Sequence, residues 1–303
     1  MDISVIIVNW NTRDLLLNCI RSVFATIQGI TFEIWVVDNG STDGSQKAVK
    51  TAFPQVHLIE NPTNRGFAAA NNQALKRMAG RYALLLNSDA ALTDGAVQKL
   101  LAFMESTPNA GMACGQLLNL DGTLQNSIAN FPTLLTLISN ETLLRILFPE
   151  KFPSKRRTYH GPIPVESGIG ACLMIRKTAM DTVGMFDENF FFFFEETDWA
   201  YRMKQANWQI FFVPAARIIH AQGKSAGNSV ASRILFYRSR YIYLKKWHPK
   251  NCSLMAAILF LRLLINASLS FMGSVLTLGL APHLLNKTVV YFQLIAWHVK
   301  GCP

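Results

Sequence analysis

Short hydrophobic runs alternate with longer amphipathic segments through the first third of the chain. The apolar runs lie at 3–8, 33–38, 56–60 and 82–87, and each is followed by residues with helical spacing. Continuous apolarity is typical of strands that are buried on both faces of a sheet. This order therefore predicts consecutive β–α units, an α/β fold and a mostly parallel central sheet covered by helices.

Beyond residue 111 the alternation becomes less regular. Residues 112–119 predict a strand, and LDGTLQ at 120–125 predicts a tight Asp-Gly turn. Residues 130–162 are rich in proline and basic side chains, which favours a mobile surface segment.

The later part of the chain returns to recognisable elements. GACLMIRK (170–177) and WQIFFVP (208–214) predict strands, and residues 229–248 predict a helix rich in basic and aromatic side chains. The last helices are apolar: residues 263–281 contain no charged side chain, whereas the apolar stretch 289–297 is too short to span a bilayer. We expect one or two helices that lie in or dip into a membrane, with a true span as the alternative.

The charge distribution strengthens the membrane interpretation. The 303 residues contain 29 Lys and Arg against 19 Asp and Glu, but 13 of the basic residues and none of the acids lie in 199–303. Because these basic residues border long apolar runs, they favour an anionic membrane surface over nucleic acid. The cysteines are five, scattered and without a C-x-x-C pair, which favours a reducing compartment. MDISVIIVNWN lacks a basic leader and reads as a strand, not a signal peptide.

Two carboxylates follow predicted strands directly. Asp38 ends the second strand, and ligands of open α/β sheets bind at that edge, where an acid suits a ribose hydroxyl or a base N–H. Asp89 follows the strand at 82–87 and suits a hard divalent cation, which would neutralise a diphosphate. Each acid has a structural alternative: Asp38 as a turn former or helix cap, and Asp89 as a cap for the helix beginning near Asp94.

Three further segments contain candidate chemistry. NPTNRGFAAANNQAL (61–75) combines a turn with small residues that let a ligand approach the backbone, and its amides suit phosphate. NFFFFFEETDWAYR (189–202) places Glu195, Glu196 and Asp198 behind five phenylalanines. His220 ends an apolar strand and precedes a glycine- and serine-containing loop typical of ligand sites, although a histidine so placed is often structural.

Together these segments resemble the family 2 glycosyltransferases of the GT-A fold over about residues 2–248. The resemblance depends on motifs in the family's order: VIIVNWN, VVDNGSTDGS, NRGFAAANN, NSD, GACLMIRK, FDENFFFFFEETDWAYR and VPAARIIHAQGKS. Within the family, the chain is most similar to the rhamnosyltransferase-like bacterial branch that decorates lipid-linked or cell-surface polysaccharides. We expect a GT-A domain at 1–228, with a nucleotide-binding half at 1–110 and an acceptor half at 111–228, before a membrane-associating region at 229–303.

The resemblance implies which residues contact the donor and a cation. Those expected against the nucleotide are Asn9, Trp10, Asp38, Gly66, Asn71 and Asn72. Asp89, the last acid of the NSD motif, would bind Mg²⁺ or Mn²⁺, with His220 as a further metal or diphosphate contact. Asn87 replaces an aspartate of many relatives and would reach the metal only indirectly.

The resemblance also implies a catalytic base among the acids behind the phenylalanines. The family's second acid at this point corresponds to Glu196, and Glu195 or Asp198 would share or take its role. Apolar neighbours raise the pKa of a carboxyl group, which suits a base that removes a proton from a sugar hydroxyl. The alternative is that the rings are core packing and that Asp198 pairs with Arg202.

The implied reaction is an inverting, non-processive transfer from a nucleoside-diphosphate sugar to a hydroxyl of a saccharide or polyprenyl-diphosphate-linked acceptor. The donor sugar would be rhamnose or another hexose or deoxyhexose, for cell-surface polysaccharide. The enzyme would act at the cytoplasmic face of the inner membrane, as a peripheral protein or with one C-terminal span, and without a nucleic-acid partner.

Other classes fit the sequence less well. The first strand ends in VNWNTR and not in a glycine-rich turn, which disfavours a nicotinamide dehydrogenase or a nucleotidyltransferase. A processive synthase would show Q-x-x-R-W and several clear spans. A non-catalytic module that binds nucleotide sugar or lipid is the remaining alternative, and a donor-hydrolysis assay with and without EDTA separates it from an enzyme.

Overall fold

The computed structural model describes residues 1–154, 157–221, 229–278 and 280–301. The chain divides into two compact units: Met1–Phe131 with Arg145–Ser225, and Pro132–Leu144 with Ala226–Pro303. We call these the sheet unit and the helical unit. The domain boundaries expected from the sequence remain predictions.

The described strands are β1 (Ile3–Asn9), β2 (Phe32–Asp38), β3 (His57–Glu60), β4 (Tyr82–Asn87), β5 (Ala90–Leu92), β6 (Ala110–Leu118), β7 (Ile128–Ala129), β8 (Ile163–Val165), β9 (Ser167–Gly168), β10 (Cys172–Arg176) and β11 (Gln209–His220). The main sheet has the order β3-β2-β1-β4-β10-β6-β11-β5, with β8 paired to β11, and β7 pairs with β9 separately. Strands β1 to β4 are parallel, whereas β10, β5 and β8 pair antiparallel to their neighbours. The predicted α/β fold with a mostly parallel sheet is confirmed.

The described helices are α1 (Arg13–Thr26), α2 (Ser45–Ala52), α3 (Phe67–Leu75), α4 (Ala96–Ser106), α5 (Leu134–Ile138), α6 (Glu141–Leu147), α7 (Lys177–Val183), α8 (Glu195–Gln205), α9 (Val230–Trp247), α10 (Cys252–Leu276) and α11 (Pro282–Val299). Helices α5 and α6 lie in the segment expected to be a mobile surface segment, and its mobility remains a prediction. Thr133 and Thr136 form a capping box at the start of α5, and Leu137 and Leu144 are buried.

Side chains alternate between the two faces of the sheet. Ile3, Val5 and Ile7 of β1 pack in one apolar layer, and Ile6 packs in the other. Helix α3 uses alanines against the sheet, which lets its backbone approach closely. The register pairs Asn9 with Asp38, so the polar residues that end β1 and β2 lie at one edge.

The helical unit contains a long apolar helix that is largely exposed. Helix α10 has 25 residues and a mean hydropathy of 2.0 over its most apolar window. Its 25 residues would extend about 37 Å, and it is the one described helix long and apolar enough to cross a bilayer. Only 28% of that window is buried.

Candidate active site

Asn9 and Asp38 form a buried polar network at the ends of β1 and β2. The Asn9 amide donates to Asp38 Oδ2 at 2.8 Å and to Ser41 Oγ at 3.1 Å. Asp38 Oδ1 accepts from the Ser41 backbone N–H at 2.9 Å and from Gln46 Nε2 at 2.6 Å. Asp38 is fully buried and organises the following turn, the structural role that the sequence left open. Its contact with a nucleotide base remains a prediction.

The same edge extends to the NSD motif. Thr12 Oγ1 donates to Asn9 Oδ1 at 2.7 Å and lies 2.8 Å from Ser88 Oγ. A chain of hydrogen bonds therefore connects the ends of β1 and β2 to the residue before Asp89. Next to this network the Trp10 side chain is 49% exposed, so its ring is accessible to a ligand.

The phenylalanine run lies against the start of α3. The Phe67 backbone N–H donates to Phe191 O at 2.7 Å. Gly66 has φ +84°, and a Cβ there would lie 2.5 Å from Phe191 O. Only glycine fits this approach. The close approach predicted for a ligand at Gly66 is thus made by another part of the chain.

The two amides of α3 have partners within the protein. Asn71 Nδ2 donates to Phe67 O at 2.9 Å. Asn72 donates to Phe186 O and to Glu188 Oε1, both at 2.9 Å, and its Oδ1 accepts from the Phe186 N–H at 3.1 Å. Asn72 thereby fastens the segment before the phenylalanines to α3, and nucleotide contacts for both amides remain predictions.

Asp89 and His220, the two residues expected at a metal, lie next to each other although they are far apart in sequence; metal binding by them remains a prediction. Strand β11 pairs antiparallel to β5, and the Ala221 N–H donates to Asp89 O at 2.9 Å. His220 Nε2 lies 3.3 Å from Asp89 Oδ1. That oxygen is buried and has no hydrogen-bond partner among the described residues. A carboxylate oxygen and an imidazole nitrogen this close together could bind the same divalent cation.

The described residues bring no third His, Cys, Asp or Glu to this pair. Mg²⁺ commonly has one or two carboxylate ligands and takes its other ligands from substrate phosphates and water. Asn87 lies two residues before Asp89 at the partly buried end of β4, and its backbone N–H donates to Ala171 O at 3.0 Å. A contact between the Asn87 side chain and a cation remains a prediction.

The acid pair begins α8 directly after a strained turn. Phe193 and Phe194 have φ of +70° and +68°, a left-handed conformation that costs a non-glycine residue about 1 kcal/mol or more. Phe190 and Phe194 are buried, whereas Phe191 is 41% exposed. The run therefore forms a turn that packs partly in the core and turns the chain so that α8 starts with Glu195.

The two glutamates are in different environments. Glu195 is buried, and no described group donates to its Oε2. Burial, and secondarily the neighbouring Glu196, raise the pKa of Glu195 well above its usual range. Glu196 is only partly buried, and desolvation raises its pKa to about 7. Burial therefore favours the protonated form of Glu195, while the pKa of Glu196 lies near neutrality.

Glu196 lies at the same edge of the sheet as the NSD motif. A Cβ on Gly170 would lie 3.9 Å from Glu196 Cδ, and the next residue, Ala171, accepts the hydrogen bond from Asn87. The segment Gly170–Ala171 thus lies next to Glu196 on one side and bonds the end of β4 on the other. The sequence did not single out Gly170 as a site residue.

Asp198 faces a different set of groups. Its carboxylate is fully buried and accepts from Arg202 Nε at 2.9 Å. The same guanidinium donates to Val183 O and Met185 O. The ion pair that the sequence offered as the alternative is present and fastens α8 to the end of α7, and a shared catalytic role for Asp198 remains a prediction. The loop predicted after His220, at 222–228, lies outside the described residues.

The comparisons with known proteins agree with this geometry. A sequence profile described as "Glycosyl transferase family 2" matches residues 4–184, more than half of the chain. The chain belongs to family 2 of the glycosyltransferases. It is therefore a glycosyltransferase enzyme, and the family expected from the sequence motifs is confirmed.

Two relatives share about two thirds or more of their length with this glycosyltransferase. It is 28% identical over 231 residues to the N-acetylglucosaminyl-diphospho-decaprenol L-rhamnosyltransferase of Mycobacterium tuberculosis, covering 71% of this chain and 75% of the relative. It is 28% identical over 225 residues to the low-salt glycan biosynthesis hexosyltransferase Agl10 of Haloferax volcanii, covering 73% of this chain and 67% of the relative.

A solved structure supports the fold. The mannosyltransferase PcManGT from Pyrobaculum calidifontis, in complex with GDP-Man and Mn²⁺, superposes with a TM-score of 0.59 at 17% identity. The similarity covers 98% of this glycosyltransferase and 86% of PcManGT. The expected GT-A fold is confirmed.

Proposed function

We propose that this glycosyltransferase moves a sugar from a nucleoside-diphosphate donor to a hydroxyl of a lipid-linked saccharide, with inversion at the anomeric carbon. The observation that carries the proposal is the position of Glu196. Desolvation raises the pKa of Glu196 to about 7, and its carboxyl group lies near Gly170, whose neighbour Ala171 accepts a hydrogen bond from Asn87, two residues before Asp89. A proton acceptor and a cation site at one edge are what a single-displacement transfer requires.

Glu196 is the proposed catalytic base. In its ionised form it takes the proton of the acceptor hydroxyl as that oxygen attacks the anomeric carbon, and the sugar's bond to the diphosphate breaks. A base with a pKa near the working pH combines adequate basicity with a large ionised fraction. Burial raises the pKa of Glu195 and so disfavours a second negative charge beside Glu196.

Asp89 and His220 are the proposed ligands of a divalent cation. The buried Asp89 Oδ1 without a described donor is the observation that fits such an ion. When bound, the cation would neutralise charge on the departing diphosphate. The solved complex of PcManGT contains Mn²⁺, which agrees with this assignment at the level of the fold.

The donor nucleotide is proposed to bind along the ends of β1 and β2. The exposed ring of Trp10 offers a surface on which a base would stack. Asn9 and Asp38 give this edge a fixed shape through their mutual hydrogen bond. The Asp38 carboxylate already accepts hydrogen bonds within the protein. It would contact the nucleotide base through its remaining lone pairs or through its backbone.

The acceptor class is proposed from the relatives and from the helical unit. The name of the M. tuberculosis relative describes rhamnosyl transfer to N-acetylglucosaminyl-diphospho-decaprenol. We propose an acceptor of this kind, a saccharide on a polyprenyl diphosphate, with rhamnose as the first donor sugar to test. Such an acceptor resides in a membrane, so the enzyme would work at a bilayer surface, which we assign to its cytoplasmic face.

The hairpin of α10 and α11 has the polarity expected next to lipid. Ser270, Ser274 and Thr288 are buried and bonded to one another, with Thr288 Oγ1 donating to Ser270 Oγ at 3.2 Å. Leucines such as Leu269 and Leu276 are instead exposed. Hydroxyls at a helix–helix seam and apolar side chains outside are typical of helices in hydrocarbon. The absence of acids from 229–303 adds attraction to anionic lipid.

A donor panel tests the proposal. The purified full-length enzyme is incubated with a series of nucleoside-diphosphate sugars and a short-chain N-acetylglucosaminyl-diphospho-polyprenol, with and without EDTA. We expect release of nucleoside diphosphate and a glycosylated lipid with one donor, abolished by EDTA and restored by Mn²⁺. Binding of a donor without any turnover would support the non-catalytic module, and a product of retained anomeric configuration would exclude Glu196 as the base in this mechanism.

A further inference from the structure

The buried side chain of Gln125 contacts His220 at two points. Gln125 Nε2 donates to His220 O at 3.0 Å and to Asn119 Oδ1 at 2.8 Å. Gln125 Oε1 lies 2.8 Å from His220 Nδ1. Both residues are buried, so no bulk water competes for these contacts.

The orientation of the Gln125 amide determines the tautomer of His220. Both N–H groups of Nε2 are directed at oxygens that only accept, so the oxygen Oε1 is the atom that faces the imidazole. An amide oxygen is an acceptor, and Nδ1 must therefore be the N–H donor. In the neutral ring, Nε2 then carries the lone pair.

His220 Nε2 lies close to a second acceptor. Asp89 Oδ1 is 3.3 Å away and has no hydrogen-bond donor within the described part of the chain. Two buried acceptors this close repel unless a cation, either a proton or a metal ion, lies between them. We propose that Gln125 is a positioning residue that fixes the His220 tautomer, so that Nε2 and Asp89 Oδ1 bind the same divalent cation. This inference rests on the cation site of the proposed function.

The turn before Gln125 is built to hold it in place. Asn119 N–H donates to Thr123 O at 2.8 Å, and Gly122 N–H donates to Asn119 O at 2.9 Å. Gly122 has φ +80°, which glycine adopts without strain. The Gln125 N–H donates to Leu117 O at 2.8 Å and fastens the residue to β6. The Asp-Gly turn that the sequence predicted thus presents Gln125 to His220.

Two substitutions separate the proposed role from a merely structural one. Gln125→Glu keeps an acceptor oxygen for the Nδ1–H of His220 but loses both donors. Gln125→Met has a similar length and loses the acceptor as well. If Gln125 only supports the fold, both variants are affected alike. If it sets the tautomer, the Glu variant retains the function and the Met variant loses it.

Mn²⁺ binding to the full-length protein is the main measurement, read from the EPR signal of free Mn²⁺. We expect Gln125→Met to weaken Mn²⁺ binding about 10–100-fold and Gln125→Glu to stay within about 3-fold of the parent. NMR of ¹⁵N-histidine-labelled protein without metal reads the tautomer, with His220→Asn to assign the signal. The parent and Gln125→Glu should show Nδ1–H, and Gln125→Met a mixture.

Two results would overturn the inference: parent-like Mn²⁺ affinity in Gln125→Met, or equal losses in both variants. Asp89→Ala separates this inference from the cation site itself. If Asp89→Ala loses Mn²⁺ while Gln125→Met keeps it, only the role of Gln125 is wrong. If Asp89→Ala binds Mn²⁺ like the parent, the cation site of the proposed function fails.

Discussion

The sheet unit and the helical unit differ in the apolar side chains that they leave exposed. The sheet unit packs apolar side chains on both faces of its sheet, with Ile7 in one layer and Ile6 in the other. The helical unit buries Met255 and Leu259 of α10 and exposes leucines such as Leu269 on the same helix. Burial of apolar area stabilises both units in water. The exposed leucines of α10 gain nothing from water, which supports the proposal that this surface contacts lipid.

Sugar transfer is proposed to depend on residues of the sheet unit alone. The substitution Glu196→Gln is expected to have the largest effect on it. The amide is nearly isosteric but cannot accept the proton, so we expect kcat to fall by about 10²–10⁴-fold. Donor binding and lipid association should not change. Steady-state kinetics and vesicle flotation measure the two properties. Wild-type turnover in this variant would remove Glu196 from the mechanism.

Membrane association is proposed to depend on the helical unit, and the triple variant Leu264→Gln, Ile265→Gln, Leu269→Gln tests it. All three side chains are exposed on α10. Transferring three such groups from lipid to water would lower partitioning into anionic vesicles on the order of 10²–10³-fold. Leu120→Gln, an exposed leucine of the sheet unit, is the matched control and should float like the parent. Equal flotation of all three proteins would contradict the lipid-facing assignment.

The pH profile sharpens the comparison within the acid pair. The raised pKa of Glu196 means that the ionised base is lost as the pH falls through about 7. We expect kcat/KM to drop about tenfold per pH unit below that value, or about 100-fold at pH 5. The pKa of Glu196 is raised by its own desolvation, so Glu195→Gln should leave the midpoint of this limb unchanged. A midpoint shifted downward in Glu195→Gln would mean that both carboxyls are charged together.

The smallest expected effect concerns the hairpin seam. Thr288→Val keeps the shape and removes the hydroxyl that bonds Ser270. Hydrogen bonds between helices in a bilayer contribute about 0.6 kcal/mol on average, so unfolding of the hairpin in detergent or lipid should become easier by about that amount. Unfolding followed by tryptophan fluorescence measures it. If the variant is more stable, an apolar contact between α10 and α11 is more favourable than the hydroxyl-lined one, as expected for helices packed in water.

Local patterns predicted the parallel half of the sheet well. The apolar runs at 33–38 and 82–87 correspond to β2 and β4 almost residue for residue. Continuous apolarity identifies such strands because both their faces are buried. The antiparallel position of β10 between β4 and β6 was not predictable in this way, since it depends on which distant strands pair.

In the candidate site, too, local sequence patterns pointed to individual residues but did not predict contacts between residues far apart in the chain. The end of a buried strand identified Asp89, and the acids behind the phenylalanines identified Glu196. The start of α8 was missed because five phenylalanines favour a strand or turn, whereas acids favour the first turn of a helix. Gln125 lies 95 residues from its partner His220, and a glutamine after a turn gives no sign of such a contact.

The lack of acidic side chains after Asp198 has a consequence for behaviour in acid. The proposed attraction between the C-terminal third and an anionic bilayer would involve no Asp or Glu side chain, and protonation of histidines would only add to it. Acidification would therefore abolish catalytic turnover without releasing the protein from the membrane. The inactive enzyme would stay bound to the membrane and would become active again when the pH returned to neutral.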